Sequence, residues 1–383
     1  MNKGDSYYMV NFQTEVKFIS IYVEGNQGWF SALYYNALFC IDFRTGKIEY
    51  IGSFPNEETV YAYRNIVSCD QCVFFIPYYG NTLGIYDKDA KTITTVAIPA
   101  HILDKLCTPR FAFAYLYDDC LYMYGQNSAV IVKYDVILQS FTLIDIFADT
   151  KDVEGFYSFD YMWVDGKIYA LINNGNAIIE ISPGSFEFKI LKTDNIKRNF
   201  RSFTGKKGRL WLADIAGELY EYDLDEERCQ SYGLINVDKR EDNISEFFWS
   251  LYEFDSKIYM IAMLNHTSYI FDTESRKIHK NEKLQIEPHR QFQFGTNDIM
   301  PIWFVPMQCE DKLYFQWEAD LTLRILDLRD NQLRVLPVLV DKKIYDGVLM
   351  KQKLERDGLI RESENDYPLS LYLDVITRLK VKD

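Results

Sequence analysis

Apolar and polar positions alternate in short bursts along most of the chain. The clearest bursts each follow a polar turn: DDCLYMY (118–124), DGKIYALI (165–172), KGRLWLAD (207–214), DSKIYMIAM (255–263) and EDKLYFQW (310–317). Weaker versions are DQCVFFI (70–76) and QGWFSAL (27–33). An aromatic-rich stretch precedes several of these turns, as in FAFAYLY (111–117), FFWSLYEF (247–254) and IWFVPM (302–307). Each burst is followed by an apolar-x-apolar run that ends on Asp42, Asp87, Asp135, Asp223, Asp272 or Asp327, with Ser182 in the same place between the third and fourth. A turn and a last strand come next, as over Lys47 to Ile51 and Thr92 to Ile98. Alternation with period two predicts strands, and no stretch with a 3.6-residue period dominates.

Successive anchors lie 45, 48, 47, 41, 49 and 55 residues apart. A repeat of that length holding four short strands, A to D, is the sequence form of a propeller blade. The predicted fold is therefore all-β: a seven-bladed β-propeller of four-stranded antiparallel blades. One such sheet cannot bury both faces alone, whereas a closed ring of seven can. The anchor aspartates have a local reason to recur. A carboxylate at the end of strand C can accept the backbone N–H two residues on, as an Asx-turn. Asp42 to Lys47 and Asp272 to Lys277 share the form D-x-x-[ST]-x-K, and Ser182-Pro183-Gly184 is a second turn-prone solution. The six carboxylates are too far apart around a ring to ligate one metal.

The turn, [LI]-Y-x, linker, apolar-x-apolar-D, x-x-[ST] pattern resembles kelch-type and YVTN-type propeller repeats over residues 17–340. The double glycine of kelch strand B and the full YVTN string are absent, so no subfamily follows. The resemblance implies a rigid scaffold that holds ligands or partners on one face or at the central channel. Residues 1–16 read as an N-terminal extension with a possible extra strand at YYMVNF (7–12). Residues 341–383 read as a tail whose apolar positions after Pro368 fit a helix or a strand equally.

Composition refines this picture. Aromatics make up 16% of the chain, with 29 Tyr and 26 Phe, residues that favour half-buried pleated surfaces. The net charge of −14 disfavours nucleic acid and anionic membrane surfaces as partners. The N-terminus has no apolar signal segment and no run suffices to span a bilayer, which leads to an expected cytoplasmic location. Seven cysteines without a secretion signal are expected to be reduced thiols. Cys69 and Cys72 form a lone CxxC around Asp70-Gln71, read as two cysteines at a hairpin; a zinc site would need a second ligand pair. No metal and no cofactor are expected.

In a propeller the D–A connectors and B–C loops share one rim. The A–B and C–D turns share the other. The D–A connectors are the longer ones here, notably 233–246 and 284–301, and function concentrates on long loops over a rigid scaffold. Large aromatic or arginine residues recur where the A strands begin. The candidate ligand-binding set is Arg64, Arg110, Phe156, Arg201, Phe248 and Trp303, a ring of guanidinium and aromatic groups suited to a carboxylate, sugar or peptide. Each of these aromatics also fits a place in the core between blades. His266 and His289 fall on the same rim, with Glu287 and Asp298 near in sequence, and form the alternative, an acid–base pair of a propeller hydrolase or lyase. No GxSxG, HExxH, Walker or GxGxxG motif accompanies them. The leading expectation is a non-enzymatic binding scaffold for a protein, peptide or carbohydrate.

Overall fold

The structure is a computed structural model that describes residues 16–340 apart from 60, 152, 192, 194–198, 235–247, 263–267, 285–305 and 318–320, together with 345–348 and 352. Seven four-stranded antiparallel sheets occupy residues 22–52, 63–97, 111–144, 156–191, 200–234, 248–280 and 307–336. In each, the strands pair in sequence order. The chain is a seven-bladed β-propeller. Strand A lies innermost and strand D outermost, where the side chains are largely exposed, as over Lys277–Lys280.

The turns explain why these segments become hairpins. The A–B hairpins of blades 3, 4 and 5 close on two residues that both have positive φ: Asp118 and Asp119, Asp165 and Gly166, Lys207 and Gly208. That pair of left-handed residues matches the twist of the flanking strands. Cys69 and Cys72 sit at the same place in blade 2, where the Cys69 N–H donates to the Cys72 carbonyl at 2.9 Å. The expected C–D anchors form as Asx-turns. Asp42 Oδ1 accepts from the N–H of Arg44 and Thr45 at 2.8 and 2.9 Å, and Asp87, Asp135 and Asp223 do the same two and three residues on. Asp272 accepts from Ser275 and Asp327 from Arg329. In all seven turns the fourth residue after the anchor is left-handed: Gly46, Lys91, Gln139, Phe186, Glu227, Arg276 and Asn331.

The core is divided into seven apolar wedges, one between each pair of successive blades. Phe74 and Phe111 fill the wedge of blades 2 and 3, Phe113 and Phe156 that of blades 3 and 4, and Leu313 and Tyr259 that of blades 6 and 7. Each such fully buried ring contributes about 2 kcal/mol of hydrophobic stabilisation. The seventh wedge, between blades 7 and 1, closes the ring. It is built from Val16, Phe18, Phe39, Leu323 and Val338, and it includes Val348. The four strands of blade 7 are consecutive in sequence, so among the described residues closure involves no exchange of strands between the first and last sheets. Polar contacts complete it. Gln316 accepts from the Phe18 N–H at 2.9 Å and donates to the carbonyls of Val16 and Leu321 at 2.7 and 2.9 Å. The Val16 N–H reaches the Val338 carbonyl at 3.4 Å. From the other end of the chain, residues 345–348 form a helical turn. The Tyr345 ring meets Tyr35 of blade 1 edge-on, and Gln352 donates to the Asn36 carbonyl at 2.6 Å. Among the described residues no helix is long and apolar enough to cross a membrane.

Candidate functional site

The A strands start at the rim shared with the B–C loops, and their pairing is irregular there. In blade 2, Tyr63 pairs with Pro77 and Asn65 with Ile76, leaving Arg64 as an extra, bulged residue. In blade 5, Phe200 pairs with Asp214 and Ser202 with Ala213, so Arg201 is bulged. The same slip leaves Trp249 extra in blade 6 and Ala112 extra in blade 3. Blade 4 is irregular between Phe156 and Tyr161. A bulge interrupts the strict alternation of faces and re-aims one side chain. In blades 2 to 5 the first residue of the strand stays in the core: Tyr63, Phe111, Phe156 and Phe200 are buried. In blades 2 and 5 the second residue, an arginine, is the one the bulge re-aims.

Arg64 and Arg201 use that freedom in the same way. The Arg64 guanidinium lies over the Tyr78 ring, 5.0 Å from its centre. The Arg201 guanidinium lies 5.6 Å from the centre of Tyr157 on the neighbouring blade, and its Nη1 donates to the Tyr157 hydroxyl at 3.5 Å. Only 4% of Arg64 and 5% of Arg201 is exposed, so each cation is held largely within the wall of the ring. Arg110 is more open. Its Nε donates to the Gly80 carbonyl at 3.0 Å and its Nη2 to Asn81 Oδ1, which ties blade 3 to the B–C loop of blade 2. Burial holds the Arg110 pKa below its ordinary value, against the opposing pull of Glu57. Glu57 is itself buried and bonded to the Thr59 and Asn81 N–H groups and to the Thr82 hydroxyl.

Phe156 packs against Phe113, Tyr124 and Phe147 and is wholly buried, behind the rim rather than on it. Phe248 opens the A strand of blade 6, and its side chain lies outside the described residues, as do Trp303, His266 and His289. The structure therefore brings Arg64 and Arg110 to adjacent blades of one rim and puts Arg201 at the corresponding place on blade 5.

Four tyrosines that the sequence reading did not single out lie on the same rim. Tyr34, Tyr61, Tyr79 and Tyr78 form a row of rings with successive centres 5.4, 6.2 and 4.8 Å apart, each nearly perpendicular to the next. Lys17 lies 5.8 Å from the Tyr34 ring centre at one end, and Arg64 lies over Tyr78 at the other. Tyr61 holds a φ of 57°, a left-handed conformation that is costly for a bulky side chain. Two backbone bonds pin it there: its N–H donates to the Leu33 carbonyl at 2.7 Å, and its carbonyl accepts from Tyr79 at 3.2 Å. The sequence carries a signal for this row in the doubled tyrosines of LYY (33–35) and PYYG (77–80), both in B–C loops.

Inside the ring, a cavity of about 380 Å³ follows the channel axis. All seven blades line it, with Ile19, Ile66, Ala114, Tyr161, Phe203, Leu251 and Met307 as apolar members and Ser20, Arg64, Asn65 and Gln308 as polar ones. Runs of consecutive residues such as 64–66, 161–163 and 306–308 occur in this lining, as expected where innermost strands turn a backbone edge to the lumen. Asn65 donates to the Ala112 carbonyl at 2.9 Å and Ser20 to the Arg64 carbonyl, so some of these polar groups already join blades. The arrangement offers flat rings, phenol donors and guanidinium edges around one opening. Among the described residues no group of three or more His, Cys, Asp and Glu side chains is placed to hold a metal ion.

The chain matches no protein-family model and no curated protein. It is similar in structure to several solved proteins. Streptogramin B lyase aligns with a TM-score of 0.54 at 13% identity, covering 84% of this chain and 94% of the lyase. YCF48 bound to D1 peptide aligns at 0.55 and 10%, covering 80% and 90%. The computationally designed Ika8 protein aligns at 0.51 and 10%, covering 84% and 87%. At such identities the likeness is one of fold.

Proposed function

We propose that the protein is a non-enzymatic binding scaffold whose ligand, a protein segment, peptide or carbohydrate, lies on the D–A rim over the mouth of the channel. The observation that carries this reading is the recurrent bulge that sets Arg64 and Arg201 against tyrosine rings at the rim, beside the row from Tyr34 to Tyr78. Tyrosine and arginine supply large, stiff contact surfaces that dominate binding energy where they meet a partner. The fold itself leaves the chemistry open, since it occurs both in a lyase and in a protein holding a peptide. The acid–base alternative rests on His266 and His289, and no described group favours it.

The test begins with peptide and glycan arrays probed with the whole chain. Tyr79→Ala and Arg201→Ala should each weaken a selected binder at least tenfold while the unfolding temperature moves by only a few degrees. Arg110→Ala separates the roles further, because its bonds to Gly80 and Asn81 join two blades. If all three variants bind a selected ligand as the wild type does, the rim is not the site.

A further inference from the structure

The opposite rim carries a second feature. Six C–D turns place a polar residue, or glycine, two positions after the anchor: Arg44, Asp89, Gly184, Asp225, Glu274 and Arg329. Blade 3 places Ile137 there, followed by Leu138. They are 74% and 73% exposed, the highest values among the large apolar side chains described. The turn itself is built like the others, with Asp135 accepting from both N–H groups. Nothing in the folding of the hairpin therefore calls for apolar side chains at its tip.

A second exposed apolar pair lies on the same rim. The Val136 N–H donates to the Asp119 carbonyl at 3.1 Å, which joins the C–D turn to the A–B turn of the same blade. Just before that turn stands Tyr117, whose ring stacks on Trp163 of blade 4 at 6.4 Å and 24°. Tyr117 and Trp163 are each 41% exposed. Gly184, in the C–D turn of blade 4, flanks the Tyr117 ring so closely that a Cβ there would come within 3.3 Å of it. In the same turn Phe186 holds a φ of 58° and packs on Tyr122. Exposed apolar side chains contributed by two neighbouring blades on one rim point to an interaction site.

The charges around it say what fits. Asp118, Asp119 and Glu187 are exposed, and Asp135 and Asp165 lie in the same turns. The nearby cations are Lys133, Lys167 and Lys207, the last beside Gly208, whose N–H donates to Asp165 at 2.9 Å. Lys167 is already turned to Ser182 and Glu180. Carboxylates thus outnumber cations around the patch on a chain of net charge −14. A second copy docked through the same patch would set these carboxylates against themselves, which disfavours self-association. We propose that the Ile137–Leu138 tip, Tyr117 and Trp163 form a docking surface for a cationic amphipathic segment of a partner protein, apolar side on the rings and basic side on the surrounding carboxylates. This face lies on the rim opposite the D–A connectors, so its test stands apart from the reading above.

The probe is a synthetic amphipathic helix of leucine and lysine, with a scrambled peptide of the same composition as reference, titrated onto the whole chain by fluorescence anisotropy. The wild type should bind the amphipathic helix at least tenfold more tightly than the scrambled one. The Ile137→Ser/Leu138→Ser variant should lose at least tenfold, with an unchanged unfolding temperature because both side chains are solvent-exposed. Asp118→Asn/Asp119→Asn should weaken binding at low salt and converge with the wild type at high salt; asparagine tolerates the left-handed turn. The proposal is overturned by equal binding of the two peptides, by unaltered binding of the Ile137/Leu138 variant, or by sedimentation showing a wild-type dimer that this variant abolishes.

Discussion

Gln316 is the residue through which the ring closure can be tested. It spans the seam between blades 7 and 1 with three hydrogen bonds, two of them to the backbone of Val16 and Phe18. Both of those residues are buried, so Gln316→Leu strands one donor and one acceptor away from solvent. A buried backbone group left without a partner costs about 1–3 kcal/mol, and some of this is recovered by the apolar leucine. The expected loss is about 3 kcal/mol, or an unfolding temperature lower by about 5 °C for a chain of this size. Gln316→Glu keeps the acceptor for Phe18 but cannot donate to the carbonyls of Val16 and Leu321, so it should fare no better. Calorimetry measures the stability, and hydrogen exchange at the Phe18 amide reports the seam directly. A Gln316→Leu protein within 0.5 kcal/mol of the wild type, or one whose Phe18 amide stays fully protected, would refute the role assigned to this side chain.

Three further outcomes are expected. Lys91 is exposed and left-handed in its C–D turn, so Lys91→Gly should raise stability by about 0.5–1 kcal/mol by relieving backbone strain; a loss in urea midpoint would count against it. The Asp272 carboxyl is held below the usual carboxylate range, chiefly by the Ser275 N–H, and Asp42 likewise by Thr45. A depressed folded pKa gives stability that is present above the unfolded value of about 3.9 and lost as pH falls through the folded one. Urea midpoints should therefore fall below about pH 4, and Asp272→Asn should flatten that slope; an identical slope would show the turn to be irrelevant. All seven thiols should titrate after denaturation. In the native protein the exposed Cys107 should react first, while burial pushes Cys72 up to about 11 and Cys229 up to about 12 and keeps them slow. Faster labelling of Cys72 than of Cys107 would contradict that order.

The blade architecture was legible because its determinants are local. An aspartate at the end of an alternating strand encodes its own turn, and six of the seven C–D turns announce themselves that way. Ser182 forms the seventh with the same backbone bonds as Asp42, its N–H donating to the Glu187 carbonyl and its carbonyl accepting from Phe186, but without an aspartate at the anchor. The left-handed fourth position was not legible, since Gly46 and Asn331 favour that conformation but Lys91, Phe186 and Glu227 do not. The bulges were hidden for a related reason. Tyr63 and Phe200 precede Arg64 and Arg201, and a second polar residue, Asn65 or Ser202, follows each, a break in alternation that equally marks the end of a connector. Arg64, Arg110 and Arg201 stand out in the sequence because arginine is conspicuous at a strand start. The tyrosine row was missed because its members come from three loops and meet only when blades 1 and 2 are packed. Closure was missed likewise: Gln316 and Phe18 are 298 positions apart, and nothing in either neighbourhood points to the other.

The seam has a consequence for how the chain can be cut and rejoined. Residues 16 and 338 touch, so the points where the polypeptide joins the ring and leaves it coincide. Each sheet is built from four strands consecutive in sequence, and among the described residues no blade is shared between the two ends. The circle consequently has no privileged beginning. A tether that carries the chain from Val348 of the seventh wedge back to residue 16, combined with a cleavage in a D–A connector, would preserve each described sheet and wedge while moving the origin by one blade. Such a rotated gene keeps the rim intact and changes only which connector is broken, turning each connector in succession into a reporter of how much its continuity matters.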